Sequence, residues 1–454
     1  MVRIGKEVAA CKRWSTRQHL SALKRIIPRK QVKAALRQTR LRGNPCSRVG
    51  DDFMVWFVIA IGLFCRDCYR QIHRWLVPWK RNGVPGRSTL CMARQRIGAA
   101  PLIELARSVV KLLAGSETPG AFHRDLRLMA MDGFVLDIPD MPANDRVFGR
   151  PGNQRSAGAF PQAHVVGLVE AGTHVFWRWL IKPCHVDERV MARPLMKHLE
   201  KGMLLLWDRG FPCYDLVRTA VGREAHLLAR GKSNRIFPIR RVLSDGSYLS
   251  RMYNDESDRR ADRNGIDVRI IEYTLDDPTR TGCGEKHRLL TTLLDETLDP
   301  AVSLVELYHV RWEEELSIDE LKTHEMERPV LRSQTPAGVV QEIYGLMLAH
   351  YVVRTLMHEA GRQIPISPLR LSFTGTLKIL RCRLPECPKS EKARAKWYEN
   401  LLQEIAEEQI PKRRNRINPR VIKRQQSQWP KKRPRHRGCQ QPTRSFRESV
   451  VILR

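Results

Sequence analysis

Residues 308–322 read YHVRWEEELSIDELK. Taken as a helix at about 100° per residue, Tyr308, Arg311, Glu315 and Lys322 fall within a sector of about 60°. One face then presents a phenol, a guanidinium, a carboxylate and an ammonium. Asp299-Pro300 supplies a helix start, and the turn residues of 332–336 (RSQTP) close it, so the face belongs to one long helix. Such a set suits a phosphodiester under attack: the carboxylate holds a divalent cation while the cations and the phenol contact phosphate oxygens. Asp319, one turn beyond Glu315, lies only about 20° from the Tyr308 direction, so geometry alone leaves both carboxylates on that face. The alternative is an ordinary solvated charged face, and the rest of the chain decides between them.

The chain has 454 residues, 42% of them hydrophobic, enough for two or three domains with cores of their own. Eighty Lys and Arg stand against 48 Asp and Glu, a net charge of +32 that calls for a polyanionic partner, nucleic acid foremost. The most apolar run, 53–65, is 13 residues long, too short to span a bilayer, and reads as a buried helix. No secretion signal is visible at the N-terminus, so the expected location is the cytoplasm, with no membrane partner. Eleven scattered cysteines fit reduced thiols better than a disulfide framework. Cys65 and Cys68 have CxxC spacing but no second pair at zinc-finger distance, and read as core thiols.

Residues 1–50 carry fourteen Lys or Arg against the single acid Glu7, with a basic helix over 31–42 (QVKAALRQTRLR) suited to a DNA backbone. An all-helical region ends near Ser116. From Leu126 the pattern becomes α/β: LRLMAMDG is read as a strand and turn, then FVLDIP, HVVGLVE and THVFWRWLI as extended runs of an antiparallel meander. A helix over 187–201, the buried strand MLLLWD ending at Asp208, a helix over 214–221 and the strand HLLARG follow. The polar stretch 232–288 reads as a β-rich insertion, after which RLLTTLLD returns to a buried strand. From 411 to 437 there are twelve Lys or Arg and no acid, a phosphate-adhering tail.

Asp132 and Asp208 are each expected at the end of a strand, before a turn containing Gly133 or Gly210. With Glu315 on a helix packed at the same edge, three carboxylates would meet two divalent ions that clamp the attacking and leaving oxygens of a phosphodiester. The all-oxygen donor set suits Mg²⁺, which Mn²⁺ can replace. Asp137 and Asp140 are read as turn formers.

AMDGFVLDIPD around Asp132, LLLWDRGF around Asp208 and the spacing Y-x2-R-x3-E-x6-K resemble the three signature regions of the DDE transposases of the insertion sequence 4 family. VLRSQTPAGVVQEIYGLMLAHYVVR from Val330, LSFTGTLKILR from Leu371 and NPRVIKR in the tail extend the similarity over nearly the whole chain. The resemblance implies a ribonuclease-H-like catalytic domain with a β-rich insertion, preceded by a helical DNA-binding region. The implied layout is 1–118 helical, 119–231 and 288–384 catalytic, 232–287 inserted, and 385–454 a basic C-terminal region.

By position, the resemblance makes Asp132, Asp208 and Glu315 the metal-binding triad. Tyr308, Arg311, Lys322 and Arg209 would hold DNA near the scissile phosphate. Some members stack a flipped base on a tryptophan just before the LLxT-like segment; this chain has His287 and Arg288 there, and Arg288 is a DNA-binding candidate that can stack on a base, with the hairpin step left open. The expected activity is cleavage of double-stranded DNA at the element's terminal inverted repeats and joining of the 3′ ends to target DNA, by a homodimer or larger synaptic complex. A catalytically silent DNA-binding derivative and a nuclease on the same fold are the alternatives.

Overall fold

The computed structural model describes residues 21–39, 47, 49–77, 83–153, 156–231, 235–278, 283–309, 312–388, 390–411 and 445–453. Its contacts divide the chain into two units. The first takes in Met1–Asp125, Ala130–Leu195 and Glu313–Gln409; the second, Leu126–Met129, Met196–Trp312 and Ile410–Arg454. The basic tail over 411–437 lies outside the described residues from 412 onward, as do residues 1–20.

The first unit opens with helices α1 (Ser21–Ile26), α2 (Arg29–Gln38), α3 (Asp51–Leu63), α4 (Tyr69–Leu76), α5 (Arg87–Ile97) and α6 (Ala100–Val109). The expected basic helix is α2, which buries Val32 and Ala35 and leaves Lys30, Lys33 and Arg37 exposed. Helix α3 is apolar on every side because every side is covered: residues 53–63 are all buried. Asp51 and Asp52 in its first turn suit the positive end of the helix dipole.

The long helix α11 (Pro336–Gln363) lies against α3 at backbone distance. A Cβ on Gly62 would stand 2.7 Å from Ala349 Cβ, and one on Gly345 2.6 Å from the Val58 carbonyl oxygen, so glycine at both positions is what lets the helices close. Thr335 caps α11, accepting from the Gly338 amide at 3.2 Å, and Pro336 takes the first turn.

Strands β1 (Leu126–Asp137), β2 (Gln162–Glu170) and β3 (Val175–Pro183) lie side by side, with β2 and β3 antiparallel and Val165 opposite Ile181. Phe134, Phe176 and His350 carry the packing from β1 through β3 to α11, at ring separations of 6.0 and 5.4 Å. One expectation is corrected here. Strand β1 runs twelve residues without a break, so Asp132 lies within a strand and not at its end. Gly133 was read as a turn former, but its role is spatial: a Cβ there would run into Glu188 Oε1 and come within 3.0 Å of His164 Nε2. Glu188 opens helix α7 (Glu188–Met196).

The second unit is built on a sheet in which Leu126–Met129 borders β4 (Met203–Trp207), followed by β5 (His226–Arg230), β8 (His287–Thr291), β7 (Ile266–Leu275) and β6 (Tyr248–Met252). Strands β4 and β5 are parallel, joined through helix α8 (Tyr214–Gly222), and the five residues of β4 are all buried. Strand β8 pairs with β5 on one side and β7 on the other, so the inserted strands continue the same ladder. Strand β9 (Val450–Ile452) adds to β7.

The insertion also supports the helix that follows. Arg269, fully buried, bonds the Ser247 hydroxyl at 2.8 Å and the Asp299 carbonyl at 2.6 Å and pairs with Asp245. Asp245 in turn accepts from the Ala301 amide at 2.8 Å, at the start of α9 (Ala301–His309). Helix α9 thus begins just after Asp299-Pro300, as expected.

Beyond α9, residues 310 and 311 lie outside the described ones, α10 spans Trp312–Asp319, and Glu320–Glu325 is π-helical. The Met326 amide donates to the Leu321 carbonyl five residues back, at 3.0 Å. The single α-helical winding assumed for the whole stretch therefore fails in its last turn, and 100° per residue does not fix the direction of Lys322.

Candidate active site

In the second unit the buried strand β4 delivers Asp208 directly after Trp207. Asp208 is half-buried, and the next residue, Arg209, is exposed. Trp207 is fully buried and stacks on Phe211 at 6.0 Å, fixing both sides of the short turn that carries the acid. The Tyr308 hydroxyl donates to the Trp207 carbonyl oxygen at 3.1 Å. This bond brings the phenol of α9 to the strand residue that precedes Asp208.

In the first unit, half-buried Asp132 accepts from the Gly133 amide at 2.8 Å. On the face toward which a Gly133 side chain would point, opposite to that of Asp132 in a continuous strand, stands a pair the sequence reading missed. His164 bonds the Val186 carbonyl through Nδ1 at 3.0 Å and turns Nε2 toward Glu188 Oε1 at 3.5 Å. Both reach the space left open by Gly133. The signal lies in the β2 register, which places the histidine on the strand next to β1, and no single-strand pattern announces it.

On the π-helical stretch Lys322 is half-buried and Asp319 is exposed. Asp319 accepts from the Thr323 hydroxyl at 2.6 Å and stands 3.4 Å from His324, so its partners lie one turn further on rather than at Lys322. The backbone of Glu315 lies in α10; its side chain, and all of Arg311, lie outside the described residues. Arg288, in β8, pairs with Glu272 across the ladder at 2.6 Å and donates to the Arg235 carbonyl at 2.8 Å.

The same stretch is anchored from below by a buried cluster that sequence inspection did not find. Glu320 pairs with Arg354 and with His174 at 3.0 Å, and stands 3.4 Å from His350. Burial pushes its carboxyl up, but the charges of Arg354 and His174 and the bonds from His174 and His350 hold it well below its ordinary value. Five residues on, Glu325 is fully buried with neither oxygen hydrogen-bonded among the described residues; burial pushes its carboxyl well above the usual range, against the pull of Arg381.

Among the described residues no three His, Cys, Asp or Glu side chains are gathered to hold a metal. The donors offered by Asp132 and Asp208 are carboxylate oxygens, which match a hard divalent cation and not a soft one.

The transposase DDE domain matches residues 123–352, which include Asp132, Asp208 and Glu315. The chain belongs to the DDE transposase family. The insertion element 4 transposase N-terminal domain matches residues 17–107, the helical region ahead of β1. The chain is 26% identical over 390 residues to the transposase InsG for insertion sequence element IS4 of Escherichia coli strain K12, covering 84% of this chain and 86% of that protein. It is 25% identical over 187 residues to the putative transposase InsZ of the same strain, covering 41% and 60%. A piggyBac transposase synaptic complex with hairpin DNA, solved by cryo-EM, superposes with a TM-score of 0.42 at 12% identity, covering 84% of this chain and 85% of that one.

The protein is therefore a DNA transposase of mixed α/β architecture with a helical N-terminal region, of a family that uses divalent metal ions to cut DNA. Among the described residues no helix is long and apolar enough to cross a membrane.

Proposed function

We propose that this transposase cleaves at the terminal inverted repeats of its own mobile element and joins the freed 3′ ends to target DNA, acting as a homodimer or larger synaptic complex in the bacterial cytoplasm. Asp132, Asp208 and Glu315 are the acids that carry the chemistry. Their oxygen donors fit two Mg²⁺ ions, or Mn²⁺, which when bound supply charge neutralisation at the scissile phosphate. Tyr308, Arg311, Lys322 and Arg209 grip the strand, the guanidinium groups matching phosphate oxygens in pairs. Arg288 takes part only where Glu272 releases it.

Water attacks the phosphorus, the bond to the 3′ oxygen breaks, and a 3′ hydroxyl and a 5′ phosphate result. That hydroxyl then attacks a target phosphodiester and displaces its 3′ oxygen. Residues 1–118 serve as the helical DNA-binding region, 119–231 and 288–384 as the catalytic core, 232–287 as its insertion and 385–454 as a basic region tracking the backbone.

The observation that supports the reading best is the Tyr308 bond to Trp207, because it sets the first residue of the Y-x2-R-x3-E-x6-K face beside the second aspartate. The test is incubation of the purified chain with end-labelled element DNA, a supercoiled target and Mg²⁺. Nicks at the repeat followed by joined products support the proposal. Nicks without joined products leave a nuclease, and binding without nicks leaves a silent DNA-binding derivative.

A further inference from the structure

A cavity of about 620 Å³ opens in the first unit, far along the chain from the acids of β1. Six arginines line it, Arg66, Arg70, Arg87, Arg94, Arg328 and Arg332, against one acid, Asp67, whose carboxylate is occupied by the Trp75 indole N–H at 2.7 Å. The arginines fall into two sets. Arg94 and Arg332 form the floor and are fully used by the protein. Arg94 bonds Ser333 Oγ and the Gly338 carbonyl, each at 2.7 Å, Arg332 bonds the Asp67 carbonyl at 2.9 Å, and both face Glu342. Arg66, Arg70, Arg87 and Arg328 form an exposed rim. Arg66 pairs with Glu327 at 3.4 Å while its side chain stays 74% exposed, and Arg70 and Arg87 have no ion pair among the described residues.

Three helices also begin at this cavity. Tyr69 and Arg70 open α4, Arg87 opens α5, and Thr335, Ala337 and Gly338 open α11. None of the three has an acid in its first turn, and two carry an arginine there instead. A cation at the positive end of a helix dipole opposes folding, so the arrangement is not explained by the stability of the free protein. It is explained by an anion that meets amide dipoles and guanidinium groups together.

A floor whose two guanidinium groups are spent on Ser333, Gly338, Asp67 and Glu342, under a rim where Arg70 and Arg87 form no ion pair among the described residues, does not suit a small anion sunk to the bottom. It suits a polyanion lying over the mouth. We infer that this cavity is a second DNA-contact site, in which successive backbone phosphates of a duplex cross the rim and are held by Arg70 and Arg87. The inference rests on the transposase reading for the identity of the polyanion, and it assigns α4, α5 and the start of α11 a direct part in holding DNA.

The test uses the full chain and a fluorescein-labelled duplex of random sequence, titrated between about 50 and 200 mM salt. Each phosphate contact contributes about 0.9 to the slope of log affinity against log salt, so the double variant Arg70→Ala, Arg87→Ala should lower the slope by about 1.8. Arg259→Ala with Arg260→Ala removes the same charge from a surface helix where both pair with Glu256, and should leave the slope nearly unchanged. Arg70→Lys with Arg87→Lys should restore it, since a backbone phosphate responds to charge. A slope equal to wild type in the first variant, or an equal fall in the Arg259 and Arg260 control, overturns the inference. Failure of the transposase reading shows separately, as absence of nicking by the wild-type chain.

Discussion

Glu320→Gln keeps the shape of the side chain and removes its charge, which isolates the electrostatic part of the buried cluster. The Arg354 side chain is 1% exposed and its Nη1 has no hydrogen-bond partner among the described residues, so the guanidinium has no route to water once the carboxylate is gone. Breaking a buried pair from one side costs about 3–5 kcal/mol. At about 2–4 °C per kcal/mol, the lower figure corresponds to a fall in Tm of about 6–12 °C at pH 7. The folded carboxyl is held below its unfolded value near 4.5, so its contribution is complete above that pH and is lost as pH falls through the folded value. The gap between wild type and variant should therefore be full at pH 7 and shrink below pH 4.5. Arg354→Met in the Glu320→Gln background should recover part of the loss, since the stranded charge is removed. The assay is thermal unfolding followed by near-ultraviolet circular dichroism across pH. A loss of under about 1 kcal/mol, or a gap that does not narrow in acid, refutes the reasoning.

Glu325→Gln should act with the opposite sign: the folded carboxyl is raised, so wild type is progressively destabilised as pH rises above 4.5, and the variant should melt higher at pH 7 and no higher at pH 4. Equal melting at pH 7 counts against a protonated Glu325. Gly345→Ala should destabilise by about 1–3 kcal/mol in denaturant titration, because the new methyl meets the Val58 carbonyl at 2.6 Å and this outweighs the better helix propensity of alanine. An unchanged midpoint shows that α3 and α11 can part. Tyr308→Phe removes the bond to Trp207, worth about 0.5–1.5 kcal/mol, and should slow nicking about two- to tenfold while lowering duplex affinity only slightly, one hydroxyl among many backbone contacts; an unchanged rate separates the phenol from the active site.

Much of this was legible in the residues themselves. The uniformly apolar α3, the buried strand that ends just before Asp208, the strand over 226–230, and the helix start after Pro300 follow from periodicity and turn chemistry. What failed was what depends on a distant partner. Asp132-Gly133 has the composition of a turn, and only the approach of Glu188 and His164, 55 and 31 residues on from Gly133, explains glycine inside a strand. Among the acids of 313–320, nothing local distinguishes the inward Glu320 from the exposed Asp319, since Arg354 and His174 lie 34 and 146 residues away. Asp319 shares the face of Glu315 on an α-helical reading, yet it engages Thr323 and His324, four and five residues on, where the last turn is π-helical. Arg288 was a candidate for stacking on a base, and only the β7–β8 register shows Glu272 opposite.

The central claim is that Asp132, Asp208 and Glu315 together carry the cutting and joining of DNA, and the most direct measurement compares Glu315→Gln with Asp319→Asn on labelled element-end DNA in Mg²⁺. Glu315→Gln should eliminate both nicking and strand transfer, as should Asp132→Asn and Asp208→Asn, each with affinity for the end DNA retained because backbone contacts dominate binding. Asp319→Asn should keep a measurable fraction of both activities, its carboxylate being exposed and engaged with Thr323. A dead Asp319→Asn beside a cutting Glu315→Gln, or normal nicking by Asp132→Asn, contradicts the account.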